Sequence, residues 1–132
     1  MWLHVSHPDH SNGPVTSVSD QALRCYELDY SATAPATSTA QVSAGSSLTF
    51  TANGPIYHQG TINVYMSKAS PAANSPSAGT GATWFKVFQN TPVYQASSHS
   101  LTFPSTTAST ITFTVPKNLP SGQYLILSLI HI

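Results

Sequence analysis

The chain has 132 residues, enough for one domain that buries roughly two thirds of the surface its unfolded form exposes. Only 6% of the residues are charged, four Lys/Arg against four Asp/Glu, where about 25% is ordinary. A neutral chain has no electrostatic means of gathering phosphate backbones, so nucleic acid is not expected as a partner. Solubility must come from Ser, Thr, Asn and Gln, a surface that suits a secreted protein working on an uncharged polymer.

Residues 1 to 20 carry Pro8, Gly13 and Pro14 without a sustained period and read as irregular. Residues 1 to 10 hold neither a basic n-region nor an apolar h-region, so they are not a secretory signal peptide. His4, His7 and His10 recur every third residue, and neutral imidazoles suit copper or zinc. An irregular terminus must first be ordered to form a site, however, and the surface reading of these three is preferred. Cys25 has no second cysteine to pair with in this chain. It reads either as a small buried hydrophobe or as half of a bond whose partner is missing.

A short strand is expected from Cys25 to Tyr30, then a Ser/Ala/Thr/Pro stretch through Thr39. Val42, Leu48, Phe50 and Ala52 mark a strand around a turn at Ala44-Gly45, stopped by Asn53-Gly54-Pro55. His58 sits in the following loop. Ile62, Val64 and Met66 then alternate with Asn63, Tyr65 and Ser67 as the next strand. Ser70 to Thr83 is rich in Pro, Ala, Ser and Gly and reads as a long surface loop. Strands follow at Trp84 to Phe88, at Leu101 to Phe103, and at Ile111, Phe113 and Val115, the last ending at Pro116. Leu119 to Gly122 turns into a final strand from Gln123. The apolar run from Tyr124 to Ile132 is too short to span a bilayer, and no membrane role is expected. Six or seven short strands with turn signals and no helical stripe indicate an all-β fold, an antiparallel immunoglobulin- or fibronectin-like β-sandwich with long loops.

Little chemistry is visible in the residues themselves. A loop histidine such as His58 is more often a surface or capping residue than a ligand. Asp9, Asp20, Glu27 and Asp29 all precede the strand core, and none has a strand-borne partner for acid/base hydrolysis. No Gly-x-Ser-x-Gly elbow occurs. Tyr57 and Tyr65 fit a binding surface or sheet-boundary packing equally well.

An ordered set of motifs changes the weight on His58. Asn12-Gly13-Pro14-Val15-Thr16-Ser17-Val18 and Arg24-Cys25 come first, then Ala44 to Phe50. Ile56 to Ala69 follows, then Trp84-Phe85-Lys86-Val87, then Val115-Pro116 through Pro120 to Ile126. Together they resemble the fungal lytic polysaccharide monooxygenases of auxiliary-activity family 9, formerly glycoside hydrolase family 61. The resemblance implies a secreted, copper-dependent enzyme that cleaves cellulose or a related β-glucan oxidatively, a monomer served by an external electron donor. It implies that His58 ligates copper through its ring, and that Cys25 is half of a disulfide reaching toward the true C-terminus. Such a bond is typically worth about 2–4 kcal/mol and needs an oxidising compartment. It also implies that Trp84 and Phe85 lie at or near the core.

The chain departs from that pattern at both ends. The family's mature chain begins with a ligating histidine and a further strand, and residues 1–11 do not align with either. After Ile126 the family continues differently from residues 127–132, and its second-shell histidine is not matched by His131. Its axial tyrosine, the neighbouring glutamine and the second cysteine have no counterpart here. The expected division is therefore 1–11 outside the family, 12–126 a partial sandwich, and 127–132 outside again. Truncation at both ends, by gene model or splicing, is the expectation, with monooxygenase activity impaired or absent. A non-catalytic sandwich binding polysaccharide or protein, or a non-functional fragment, is the alternative. A sandwich lacking a terminal strand has an unpaired edge and uncovered apolar surface, which predicts marginal stability. Calorimetry should show no cooperative transition above about 60 °C, the upper end of the usual mesophile range; a transition above it contradicts the expectation.

Overall fold

The computed structural model describes residues 14–24, 29–36, 38–52, 54 and 56–131. One single-turn helix, α1 (Tyr30–Thr33), precedes the strands. These are β1 (Ser47–Thr51), β2 (Thr61–Lys68), β3 (Trp84–Gln89), β4 (Val93–Gln95), β5 (Ser100–Thr102), β6 (Thr110–Thr114) and β7 (Tyr124–His131). They form three sheets, β1-β6, β3-β2-β7 and β4-β5. Among the described residues no helix is long and apolar enough to cross a membrane.

The chain divides into two compact units, one from residues within 1–41, 66–85 and 121–127, the other from 42–65, 86–120 and 128–132. In the first, Tyr30 opens the helix rather than ending a strand, which corrects the sequence expectation there. Asp29 is the reason. Its carboxylate accepts from the Ser31 hydroxyl at 2.6 Å and the Ala32 amide at 3.2 Å, satisfying a donor at the helix start. Those two hydrogen bonds hold its carboxyl below the ordinary aspartate value. The remainder of the expected strand, from Cys25 to residue 28, lies outside the described residues.

The Ser70–Thr83 segment is not simply a surface loop. Ala73 and Ala78 are buried with Ala69 and Leu125 in a cluster against half-buried Trp84. Small side chains let the backbone lie close to the strands, and the backbone groups find fixed partners. The Ala73 amide donates to Gln123 Oε1 at 2.7 Å, and Arg24 donates to the carbonyls of Ala78 at 2.7 Å and Pro76 at 3.2 Å. The Arg24 guanidinium also lies 3.5 Å over the Tyr30 ring, a cation–π contact. Trp84 Nε1 donates to the Gly79 carbonyl at 2.8 Å. Phe85, expected at or near the core, is instead 39% exposed, because it points to the opposite side of β3 from Trp84.

In the second unit the alternation read from the sequence is realised. Leu48 faces Phe113 and Phe50 faces Ile111 across the antiparallel β1-β6 pair. The Phe50 and Phe113 rings stack at 5.8 Å, while Ser47, Thr49, Thr51, Thr110, Thr112 and Thr114 are exposed. The strand starts at Ser47 rather than Val42, since Ala44-Gly45 already turns the chain. Strand β2, of which residues 61–65 belong to the second unit and 66–68 to the first, departs from simple alternation. Ile62, Val64 and Met66 are buried, but so are Asn63 and Ser67, as expected of a strand flanked on both edges and covered on both faces. Ser67 survives burial through a 2.7 Å hydroxyl contact with Thr83. β4 was not expected, being only three residues long after Pro92, and β5 ends one residue before Phe103.

Gly79 has φ +75, and a Cβ there would lie 2.7 Å from Trp84 Cζ2 and 2.8 Å from Leu125 Cδ1. Gly79→Ala should therefore destabilise the protein by about 2–5 kcal/mol, combining a left-handed backbone penalty with overpacking. Urea unfolding should show a lower midpoint at unchanged slope; an unchanged midpoint would contradict this packing.

Candidate functional site

The described residues between β1 and β2 (52, 54 and 56–60) have no regular structure, so their polar backbone groups need separate partners. At its start, the Ala52 amide donates to the Ser109 carbonyl at 2.9 Å and the Ile56 amide to the Ala108 carbonyl at 3.2 Å. At its end, the Ile62 amide donates to Asn90 Oδ1 at 2.6 Å, and the Asn90 amide returns to the Ile62 carbonyl at 3.0 Å. Between these ties stands Ser105, on a 3₁₀ turn opened by Pro104. Its side chain is fully buried. Its hydroxyl donates to the Gly60 carbonyl at 2.7 Å and lies 3.4 Å from the His58 carbonyl.

Gly60 approaches the end of β7 closely. A Cβ at this position would fall 2.6 Å from the His131 carbonyl oxygen and 3.0 Å from Ile130 Cγ2, against the end of β7. Only hydrogen fits there. The backbone on either side of His58 is therefore held while the His58 side chain stays exposed. Tyr57 is 75% exposed, and its ring centre stands 4.4 Å from that of His58 at a tilt of 41°. An accessible imidazole on an immobilised backbone is what a metal ligand or surface contact needs, because little ordering remains to be done on binding.

The other carboxylates and imidazoles among the described residues are placed as follows. Asp20 caps a 3₁₀ turn by accepting from the Ala22 amide at 2.9 Å, and Asp29 caps α1. His99 Nδ1 is 3.0 Å from the Tyr94 hydroxyl. His131 is exposed at the end of β7. His4, His7, His10, Cys25 and Glu27 lie outside the described residues. Among the described residues no three or more His, Cys, Asp or Glu side chains come together to hold a metal ion. The described imidazoles, His58, His99 and His131, each suit copper in chemistry, but they do not come together with a third ligand to complete a site.

Sequence reasoning did not find Ser105, Asn90 or Gly60 as supports of the loop. Ser105 lies 45 residues from Gly60 and Asn90 lies 28 from Ile62, and nothing local marks either for these roles.

Comparison with known proteins adds a consistent set of matches. The model of Auxiliary Activity family 9 (formerly GH61) matches residues 2–128. The chain is 53% identical over 127 residues to the AA9 family lytic polysaccharide monooxygenase D of Phanerodontia chrysosporium, covering 95% of this chain and 53% of that one. It is 40% identical to the monooxygenase H of Malbranchea cinnamomea, with 95% and 54% covered. It is 36% identical to the monooxygenase A of Thermothielavioides terrestris, with 89% and 49% covered. The chain thus spans about half the length of the curated relatives it matches.

Ser105→Ala removes the hydroxyl that holds the loop and should cost about 1–3 kcal/mol by leaving the Gly60 carbonyl without that donor. Hydrogen exchange should then accelerate selectively in residues 56–61. Exchange that stays at the parent rate would show that the loop does not depend on Ser105.

Proposed function

Because the chain belongs to Auxiliary Activity family 9, a family of copper-dependent lytic polysaccharide monooxygenases with a β-sandwich fold, we propose that it serves oxidative cleavage of cellulose or a related β-glucan, with His58 as a copper ligand. The observation that carries this reading is the exposed His58 side chain on a loop whose backbone is fixed on both sides. The relatives' names supply the reaction class, lytic polysaccharide monooxygenation.

When bound, copper supplies the one-electron chemistry that lets oxygen or peroxide attack a glycosidic C–H bond. The contribution of this chain is positional. The Ser105 hydroxyl and the tight fit of Gly60 fix the peptide from His58 to Gly60, so the imidazole is offered at one place. Tyr57 limits the directions the His58 ring can take by lying against it. The low charge density leaves a neutral surface for a neutral polymer. Cys25 forms half of a disulfide in this reading, which requires an oxidising, extracellular setting. An external electron donor and a monomeric state complete the proposal.

Calorimetric Cu(II) titration and mass spectrometry of oxidised oligosaccharides, each with and without His58→Ala, test it together. Loss of a ligand should weaken copper binding by at least the tenfold that even an outer-shell change commonly costs, and oxidised products should fall to background. Parent affinity in the variant would overturn the assignment of His58. Cellulose retention without any copper-dependent product would show a binding module instead of an enzyme.

A further inference from the structure

The β4-β5 hairpin carries a second group of side chains that the His58 loop does not use. Tyr94 is directly opposite Leu101 across the antiparallel pair, so the two share a face. Tyr94 is 59% exposed and Leu101 53% exposed. In the connection between the strands, His99 has φ +49, a region in which histidine is among the better-tolerated residues other than glycine. Here it brings the imidazole of His99 to the Tyr94 hydroxyl, at 3.0 Å from Nδ1.

That contact has two chemical consequences. It fixes the phenol ring of an exposed tyrosine, so its face is presented without further loss of freedom. When the tyrosine hydroxyl donates to Nδ1, the ring proton of the neutral imidazole is on Nε2, on an exposed side chain free to donate outward. Thr102 steadies the hairpin from its opposite face, receiving a hydrogen bond from Gln95 Nε2 at 3.2 Å and donating to the Val93 carbonyl at 3.2 Å. Between Val87 and Pro116 the sequence contains no Lys, Arg, Asp or Glu. The hairpin's own segment therefore offers an ionic ligand no counter-charge. An uncharged ligand with an apolar face and hydroxyls at its edge matches Tyr94, Leu101 and His99.

The geometry points to this hairpin as a carbohydrate contact separate from the His58 loop, with Tyr94 receiving the C–H face of a pyranose ring and His99 Nε2 hydrogen-bonding a sugar hydroxyl. The identification of the ligand as a β-glucan rests on the function proposed above; the requirement for a neutral ring-shaped ligand rests on the hairpin. Leu101 widens the apolar platform beside the tyrosine. Tyr94 is specificity-determining rather than catalytic in this account, since it touches substrate away from any reacting centre.

NMR titration of the protein with cellohexaose, repeated on Tyr94→Ala and His58→Ala, tests the inference. Both substitutions are at exposed positions, and thermal midpoints should match the parent. Cellohexaose should shift the ring signals of Tyr94 and His99 in the parent and in His58→Ala. Tyr94→Ala should weaken binding by about fivefold or more, the loss of one buried aromatic face. Shifts confined to Tyr57 and His58 would overturn this inference and leave the proposed function standing. No shift anywhere would overturn both. Self-association of the parent that vanishes in Tyr94→Ala, with no response to the sugar, would assign the face to a second copy of the chain and likewise overturn it.

Discussion

The buried hydroxyl of Ser105 is the constraint on which the candidate site depends. Residues 56–60, outside any strand, have no ladder to satisfy their carbonyls, and an unsatisfied buried group costs about as much as the net gain from several hydrogen bonds. Ser105 meets that need from a separate turn, and its burial makes the contact obligatory. Gly60 adds a steric condition by lying against the backbone of β7. Donor and contact act on the same residue, two positions after His58. The exposed imidazole inherits its place from them.

The Ser70–Thr83 segment follows the same logic with different chemistry. Its alanines bury against Leu125 and Trp84, and its carbonyls are taken by Arg24 and the Trp84 indole. Few ion pairs are available to a chain with eight formally charged side chains of this kind. Order in the loops is imposed instead by single, well-placed donors and by side chains small enough to let backbone approach backbone. Arg24 is effective there because one planar guanidinium serves two carbonyls and an aromatic face at once.

What was legible in the sequence follows from how local each feature is. Leu48 with Phe50, and Ile111 with Phe113, announce strands because a half-buried strand repeats every second residue. Strand β2 was found by its apolar positions, but burial of Asn63 and Ser67 depends on what covers the other face, which no periodicity records. Tyr30 was misread because Asp29 caps a single turn, a signal too brief to distinguish from a strand end. The Ser70–Thr83 composition suggested a largely exposed loop correctly but not the burial of Ala73 and Ala78 within it, since alanine serves a tight interior as well as a surface. His58 stood out only through the family resemblance; its loop's supports, Ser105 and Asn90, are distant in sequence and chemically ordinary. Tyr94 and His99 were equally silent, because their meaning comes from a cross-strand register and one left-handed residue.

The central claim is that one exposed imidazole on an immobilised loop is where copper meets this chain. Paramagnetic NMR tests it most directly, by adding substoichiometric Cu(II) to the folded protein and following the ring signals of every histidine. The account predicts that His58 and the neighbouring Tyr57 broaden first, ahead of His99, with His131 following His58 because its backbone lies against Gly60. Broadening that begins elsewhere and leaves His58 sharp would contradict it.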